Sequence, residues 1–296
     1  MAIAHQFAYH KAATLDEAVE VLTRAGPNAR VLAGGTDLVS WLRDDAVHPE
    51  LVVDIKAIDS LNEISVEGDH LFLGPLVTFT DLLVSELVRE RLPILYEMAD
   101  TVASPGIRNR ATVVGNICSA VPSCDAGPTL LTLEASVAVV GPNGARTIPI
   151  GDWFVGPRET ALTVGEVVTG LSIPIPDPPH GAIYLKLQRY EGEDLSQAGV
   201  TILVTADNVF RIAFGAVGPV PSRAPEIESL LSGKTLSDEL ITEAQALVPG
   251  AISPITDMRA TKEYRARICE VMLERGLRAA VGRRDGHGPA YGTRLI

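Results

Sequence analysis

Two stretches of this sequence gather residue types suited to holding a phosphate-bearing ligand. The first is VLAGGTDLV, residues 31–39, where an apolar run stops at Gly34-Gly35, passes through Thr36-Asp37 and turns apolar again. Glycine has no Cβ, so backbone there can approach a ligand closely. Consecutive amide N–H groups can be turned toward one point to make an anion nest, and a helix starting there adds the partial positive charge of its N-terminus. A diphosphate is the fitting guest. The plainer alternative is a strand-to-helix turn in which Thr36 or Asp37 only caps the helix, and on this stretch alone that alternative is the stronger. The spacing is not GxGxxG, so it gives no support to a nicotinamide site on a Rossmann fold.

The second stretch, NRATVVGNICSAVPSCDAGP, collects small and polar side chains: Thr112, Gly115, Asn116, Ser119, Ser123 and Asp125. Its hydroxyls and amide can bond phosphate oxygens, and Asp125 can accept from ribose-like hydroxyls or cap the following helix. Capping and turn formation explain each residue singly; two such stretches in one chain strengthen the ligand reading. Other signals fall away. SGKT at 232–235 is half of a phosphate-binding loop, and Glu228 stands where its first glycine is required. No HxxxH or GxSxG occurs. Cys118 and Cys124 are not in CxxC spacing, and with Cys269 they make an odd count, which predicts buried or half-buried thiols, no disulfide framework and no metal held by this chain.

TLDEAVEVLTRAG predicts a helix with a capping box at Thr14 and Glu17 and an end at Gly26. ARVLAGG predicts a strand, TDLVSWLRDD a helix and LVVDI a strand, so residues 1–56 form a small α/β unit. Hairpins are expected around Gly68-Asp69 and Asn143-Gly144. Residues 80–100 read as helical with a break at Pro93, and the polar stretch after them as a long loop. Four prolines within residues 174–181 mark a linker. Beyond it come three strands and then helices, the last from about Thr261 to Ala280. The class is α+β. The expected domains are residues 1–176, in parts 1–56 and 57–176, and residues 177–283, with 284–296 a Gly-rich flexible tail or partner contact.

Composition narrows the function. With 25 Lys and Arg against 37 Asp and Glu, the net charge is −12 and no basic cluster stands out, which argues against a nucleic-acid partner. No apolar run approaches the ~18 residues of a membrane span, and the first residues lack the pattern of a secretory signal, so a cytoplasmic location is expected.

Together, AGGTD (33–37) and TVVGN (112–116) resemble the paired FAD-binding motifs of the medium, flavin-carrying subunit of molybdenum hydroxylases, the family of carbon monoxide dehydrogenase, xanthine dehydrogenase and bacterial N-heterocycle hydroxylases. The resemblance spans nearly the whole chain. It includes FAYHKAATLDEAVEVL near the start, IRNRATVVGNICSAVPSCD in the middle, YLKLQRYEGEDLSQAGV after the linker and MRATKEYRARICEVMLERGL near the end. The later segments look closer to the xanthine dehydrogenase branch.

The resemblance implies a two-part FAD-binding domain of the vanillyl-alcohol-oxidase type, followed by an α+β domain with a three-stranded antiparallel sheet. It implies that Val31, Leu32, Ala33, Gly34, Gly35, Thr36, Asp37 and Leu38 wrap the FAD diphosphate, mainly through backbone N–H groups. Thr112, Gly115 and Asn116 would complete that cradle, Ser119 and Asp125 would face the ribityl region, and Lys186 would lie close to the isoalloxazine ring and tune it. The molybdenum cofactor would sit on a large partner subunit and two [2Fe–2S] clusters on a small one, with NAD, a quinone or oxygen as final acceptor. One departure stands out: the usual motif is TxGGN, and this chain has Val114 in place of its first glycine. Two other readings stay open: a self-contained FAD-dependent oxidoreductase on the same fold, and a non-catalytic assembly module that has lost FAD.

Overall fold

The computed structural model describes residues 3, 5–190 and 194–296. It opens with a parallel three-stranded sheet of order β1-β3-β2, built from β1 (Ala8–Lys11), β2 (Ala29–Leu32) and β3 (Leu51–Asp54). Helix α1 (Leu15–Ala25) links β1 to β2 and α2 (Thr36–Arg43) links β2 to β3. Thr14 caps α1 by accepting from the Glu17 N–H. The capping box is only half formed, because the Glu17 carboxylate reaches one residue further back, to the Ala13 N–H, and also pairs with His10.

Next comes a five-stranded antiparallel sheet of order β4-β5-β10-β6-β7. Its hairpins are β4 (Ile64–Glu67) with β5 (His70–Leu73), and β6 (Ser136–Gly141) with β7 (Gly144–Pro149); β10 (Val167–Pro174) closes it. Between the hairpins run α3 (Phe79–Val84), α4 (Glu86–Arg91) and α5 (Pro93–Asp100). This helical run therefore breaks at Ser85 as well as at Pro93, since Ser85 leaves the helical region to cap α4. The long loop expected after it is instead α6 (Pro105–Arg108), α7 (Val113–Ser119) and the start of α8 (Ala126–Thr132). Helix α7 holds three β-branched residues and a glycine, weak formers singly. It folds because Thr112 caps it and because Val113, Val114 and Ile117 bury against the core of this unit. A two-stranded ribbon, β8 (Phe154–Gly156) with β9 (Glu159–Thr160), precedes β10.

The C-terminal part is an antiparallel sheet in sequence order: β11 (Gly181–Leu187), β12 (Ala198–Val204), β13 (Phe210–Gly215) and a two-residue fourth strand, β14 (Ser222–Arg223), beyond the three expected. Helices α9 (Pro225–Leu231), α10 (Asp238–Ala251) and α11 (Lys262–Arg284) cover one face. Strand β11 shows how the two parts join. Ile183 and Leu185 point into the core made with these helices, whereas Ala182 and Tyr184 point into the core of the preceding unit, as the two-residue period of a strand requires.

Helix α11 runs past the expected Ala280 to Arg284. The segment after it, expected to be a flexible tail, folds back on the protein. The Gly292 N–H donates to Glu97 Oε2 at 2.8 Å, and Leu295 and Ile296 pack on the C-terminal core. Among the described residues no helix is long and apolar enough to cross a membrane.

Candidate functional site

The first glycine stretch closes one wall of a cleft of about 700 Å³, within the range of about 300–1,000 Å³ usual for cofactor and ligand sites. Both glycines answer to the protein's own geometry. A Cβ on Gly34 would lie 1.9 Å from the Arg110 carbonyl oxygen, so at this point the first stretch touches the backbone of the second. Gly35 has φ of +79° and stands at the N-cap of α2. A glycine there offers no side-chain acceptor, so the first N–H groups of α2 lack a side-chain cap while their residues border the cleft. Asp37, in that first turn, accepts from the Ser119 hydroxyl at 2.5 Å, a bond that ties the two stretches together across 82 residues of sequence.

In the second stretch the polar side chains hold helices. Thr112 Oγ1 accepts from the Gly115 N–H at 2.9 Å, and a Cβ on Gly115 would sit 2.7 Å from that same oxygen. Asn116 Oδ1 accepts from the Ala126 N–H at 3.1 Å, so Asn116 rather than Asp125 caps α8. Both residues still border the cleft, as do Gly115, Ser119 and Asp125. Val114 is buried in the core beneath α7 and also forms part of the cleft wall. Of the stretch 31–38, Leu32 is the member outside the wall, packed instead with Leu38 and Val52.

Lys186 reaches the same cleft from β11. Its ammonium donates to Asp125 Oδ2 at 3.1 Å and to the Thr101 carbonyl at 3.0 Å. The other oxygen of Asp125, Oδ1, accepts from the Tyr184 hydroxyl at 2.7 Å. All three side chains are buried. Asp125 thus neither caps a helix nor stands free; it anchors a lysine and a tyrosine from the C-terminal part. The sequence reading missed Tyr184, although the two-residue spacing to Lys186 within AIYLKLQ puts them on one strand face. It also missed Trp41 and Arg158 at the cleft, where the guanidinium lies 5.2 Å from the indole ring; they are too far apart in sequence to signal each other. Burial pushes the Cys118 and Cys124 thiols up to about 12, so neither is a thiolate at neutral pH.

Uncapped amide donors, hydroxyls and a buried ammonium along one cleft are suited to a long anionic ligand with a flat, charge-accepting end. FAD has that shape and chemistry. Residues 5–176 match the family described as the FAD binding domain in molybdopterin dehydrogenase, and residues 182–280 match the CO dehydrogenase flavoprotein C-terminal domain. The chain is 32% identical over 280 residues to the carbon monoxide dehydrogenase medium chain of Afipia carboxidovorans, covering 94% of this chain and 97% of that one. It is 30% identical over 284 residues to the xanthine dehydrogenase FAD-binding subunit of Escherichia coli O157:H7, again 94% of this chain and 97% of the relative. These whole-chain identities do not separate the two branches. In structure it matches a chain of the reconstituted CO dehydrogenase from Oligotropha carboxidovorans with a TM-score of 0.92 and 32% identity, covering 95% of this chain and 100% of that one. The chain belongs to the family of FAD-binding domains of molybdopterin dehydrogenases.

Proposed function

We propose that this protein is the FAD-carrying electron-transfer subunit of a molybdenum-containing hydroxylase or dehydrogenase. The observation that carries the reading is that one cleft is lined by both glycine-containing stretches and by Lys186. In this reading the backbone N–H groups at the start of α2, with Thr112, Gly115 and Asn116, hold the diphosphate. Ser119 orients Asp37 and so keeps the two stretches in register. FAD, when bound, takes up electrons and releases them to an acceptor; the protein supplies its placement and local field. Lys186 contributes a buried positive charge that favours the reduced, more negative ring.

The partners are a large subunit with the molybdenum cofactor, where substrate is oxidised, and a small subunit with two [2Fe–2S] clusters. The external acceptor is NAD, a quinone or oxygen, and the assembly works in the cytoplasm. The test is a visible absorption spectrum of the gently purified protein, with and without its copurifying chains. Flavin bands near ~450 nm in this chain, with iron–sulfur absorbance only when partners are present, support the reading. A chain that turns over a substrate alone would show a self-contained oxidoreductase. A colourless chain that takes up no FAD would show an assembly module.

A further inference from the structure

We propose that Tyr184 is a positioning residue that sets how the Lys186 ammonium is shared between Asp125 and the cleft. This rests on the cleft being the FAD site. Tyr184 and Lys186 stand two residues apart on β11, so both side chains leave the same face of the strand, toward the preceding unit. There they meet one carboxylate, each on its own oxygen: the phenol on Oδ1 and the ammonium on Oδ2. Exposures of 4% for Tyr184, 7% for Asp125 and 8% for Lys186 leave water little part in this arrangement.

Three features make the phenol the controlling member. Asp125 is released from capping α8, because Asn116 does that, so its carboxylate takes its direction from Tyr184 and Lys186. The phenol is seated beside Gly199, where even an added Cβ would stand in ordinary contact, 3.4 Å from the Tyr184 hydroxyl oxygen. Burial, then the neighbouring Asp125 charge, pushes the phenol well above its ordinary value of 10.0, so it stays a donor at every working pH.

The consequence falls on the ammonium. A lysine has three N–H donors. Asp125 and Thr101 take two, leaving the third with no acceptor among the described residues while Lys186 borders the cleft. The phenol draws carboxylate charge toward Oδ1 and holds that oxygen. Without it both oxygens are open to the ammonium, which turns toward Asp125, and the field at the cleft becomes more negative.

The experiment uses the FAD-loaded protein with whatever chains accompany it. It compares Tyr184→Phe, Tyr184→3-fluorotyrosine and, as reference, Lys186→Met, reading the flavin midpoint potential and the FAD-to-protein ratio. The potential should fall in Tyr184→Phe, in the direction of Lys186→Met but by less. It should rise with the more acidic fluorinated phenol, which keeps the shape and donates more strongly. Flavin content should not change in either. Wild-type potentials in both tyrosine variants, with a shifted Lys186→Met, would overturn the proposal and leave the lysine's role standing. Wild-type potentials in all three would remove both. If Tyr184→Phe loses flavin or does not fold, the fluorinated variant decides alone, an unchanged potential counting against the proposal. A wild-type protein that takes up no FAD would bring down the functional reading first, and this inference with it.

Discussion

Two buried ion pairs join the first 176 residues to the C-terminal part, and they are built differently. Glu97 and Arg283 meet at 2.6 Å with each side chain 4% exposed. Both Glu97 oxygens receive guanidinium N–H bonds, and they also accept from the backbone of Tyr184 and Gly292. Arg283 donates further to the carbonyls of Ala182, Pro289 and Ala290 and lies 4.0 Å from the Tyr291 ring. Asp125 and Lys186 meet at one point, 3.1 Å apart, beside a cleft. A planar guanidinium with five donors suits a saturated clasp; a compact ammonium on a flexible stem suits a site where one donor must stay available. The first pair holds the parts together, and the second leaves an ammonium donor beside the cleft.

That contrast can be broken experimentally. Glu97→Gln should have the largest effect on stability, because Arg283 would keep a buried charge with no counter-charge. Removing one member of a buried pair costs about 3–5 kcal/mol, to be read from the denaturation midpoint. Gly34→Ala comes next. Its methyl has only backbone to displace, at 1.9 Å, and overpacking of this kind costs about 1–3 kcal/mol. Because the methyl forces the two glycine stretches apart, flavin content should fall with it. Lys186→Met likewise leaves a buried charge, on Asp125, without its partner and so costs stability; unlike Glu97→Gln it should also lower the flavin potential, a two-electron couple moving about 30 mV for each 1.4 kcal/mol of lost charge stabilisation.

Ser119→Ala removes one hydrogen bond to Asp37, worth about 0.5–1.5 kcal/mol, and should weaken FAD binding more than it lowers the midpoint. The acid limb is smaller again. The hydrogen bonds from Arg146, outweighing burial, hold the Glu166 carboxyl below its ordinary 4.5. A depressed carboxylate stabilises the fold fully above its unfolded value, and that stabilisation is lost as pH falls through the folded one. The denaturation midpoint should therefore be level at neutral pH and decline below 4.5, with a shallower decline in Arg146→Met.

How much of this the sequence could tell depended on whether a feature was local. The turn at Gly35 and the cap at Thr14 are written in adjacent residues and were legible. The need for glycine at 34 was not, because the atom that forbids a side chain belongs to Arg110. Likewise, DGHGPAYG reads as a flexible tail until Glu97 is seen to bind the Gly292 N–H, and helix α7 rests on burial that propensities do not show. Leu32 belongs to the glycine stretch by position only: strand alternation turns it to the opposite side, onto Val52.

In the proposed function the cleft binds FAD through backbone donors set by the contact of the two glycine stretches. The measurement that tests it most directly is calorimetric titration of FAD into flavin-stripped protein, wild type beside Gly34→Ala. The wild type should bind one FAD per chain and the variant much more weakly. No binding to the wild type, or equal binding to both, would contradict it.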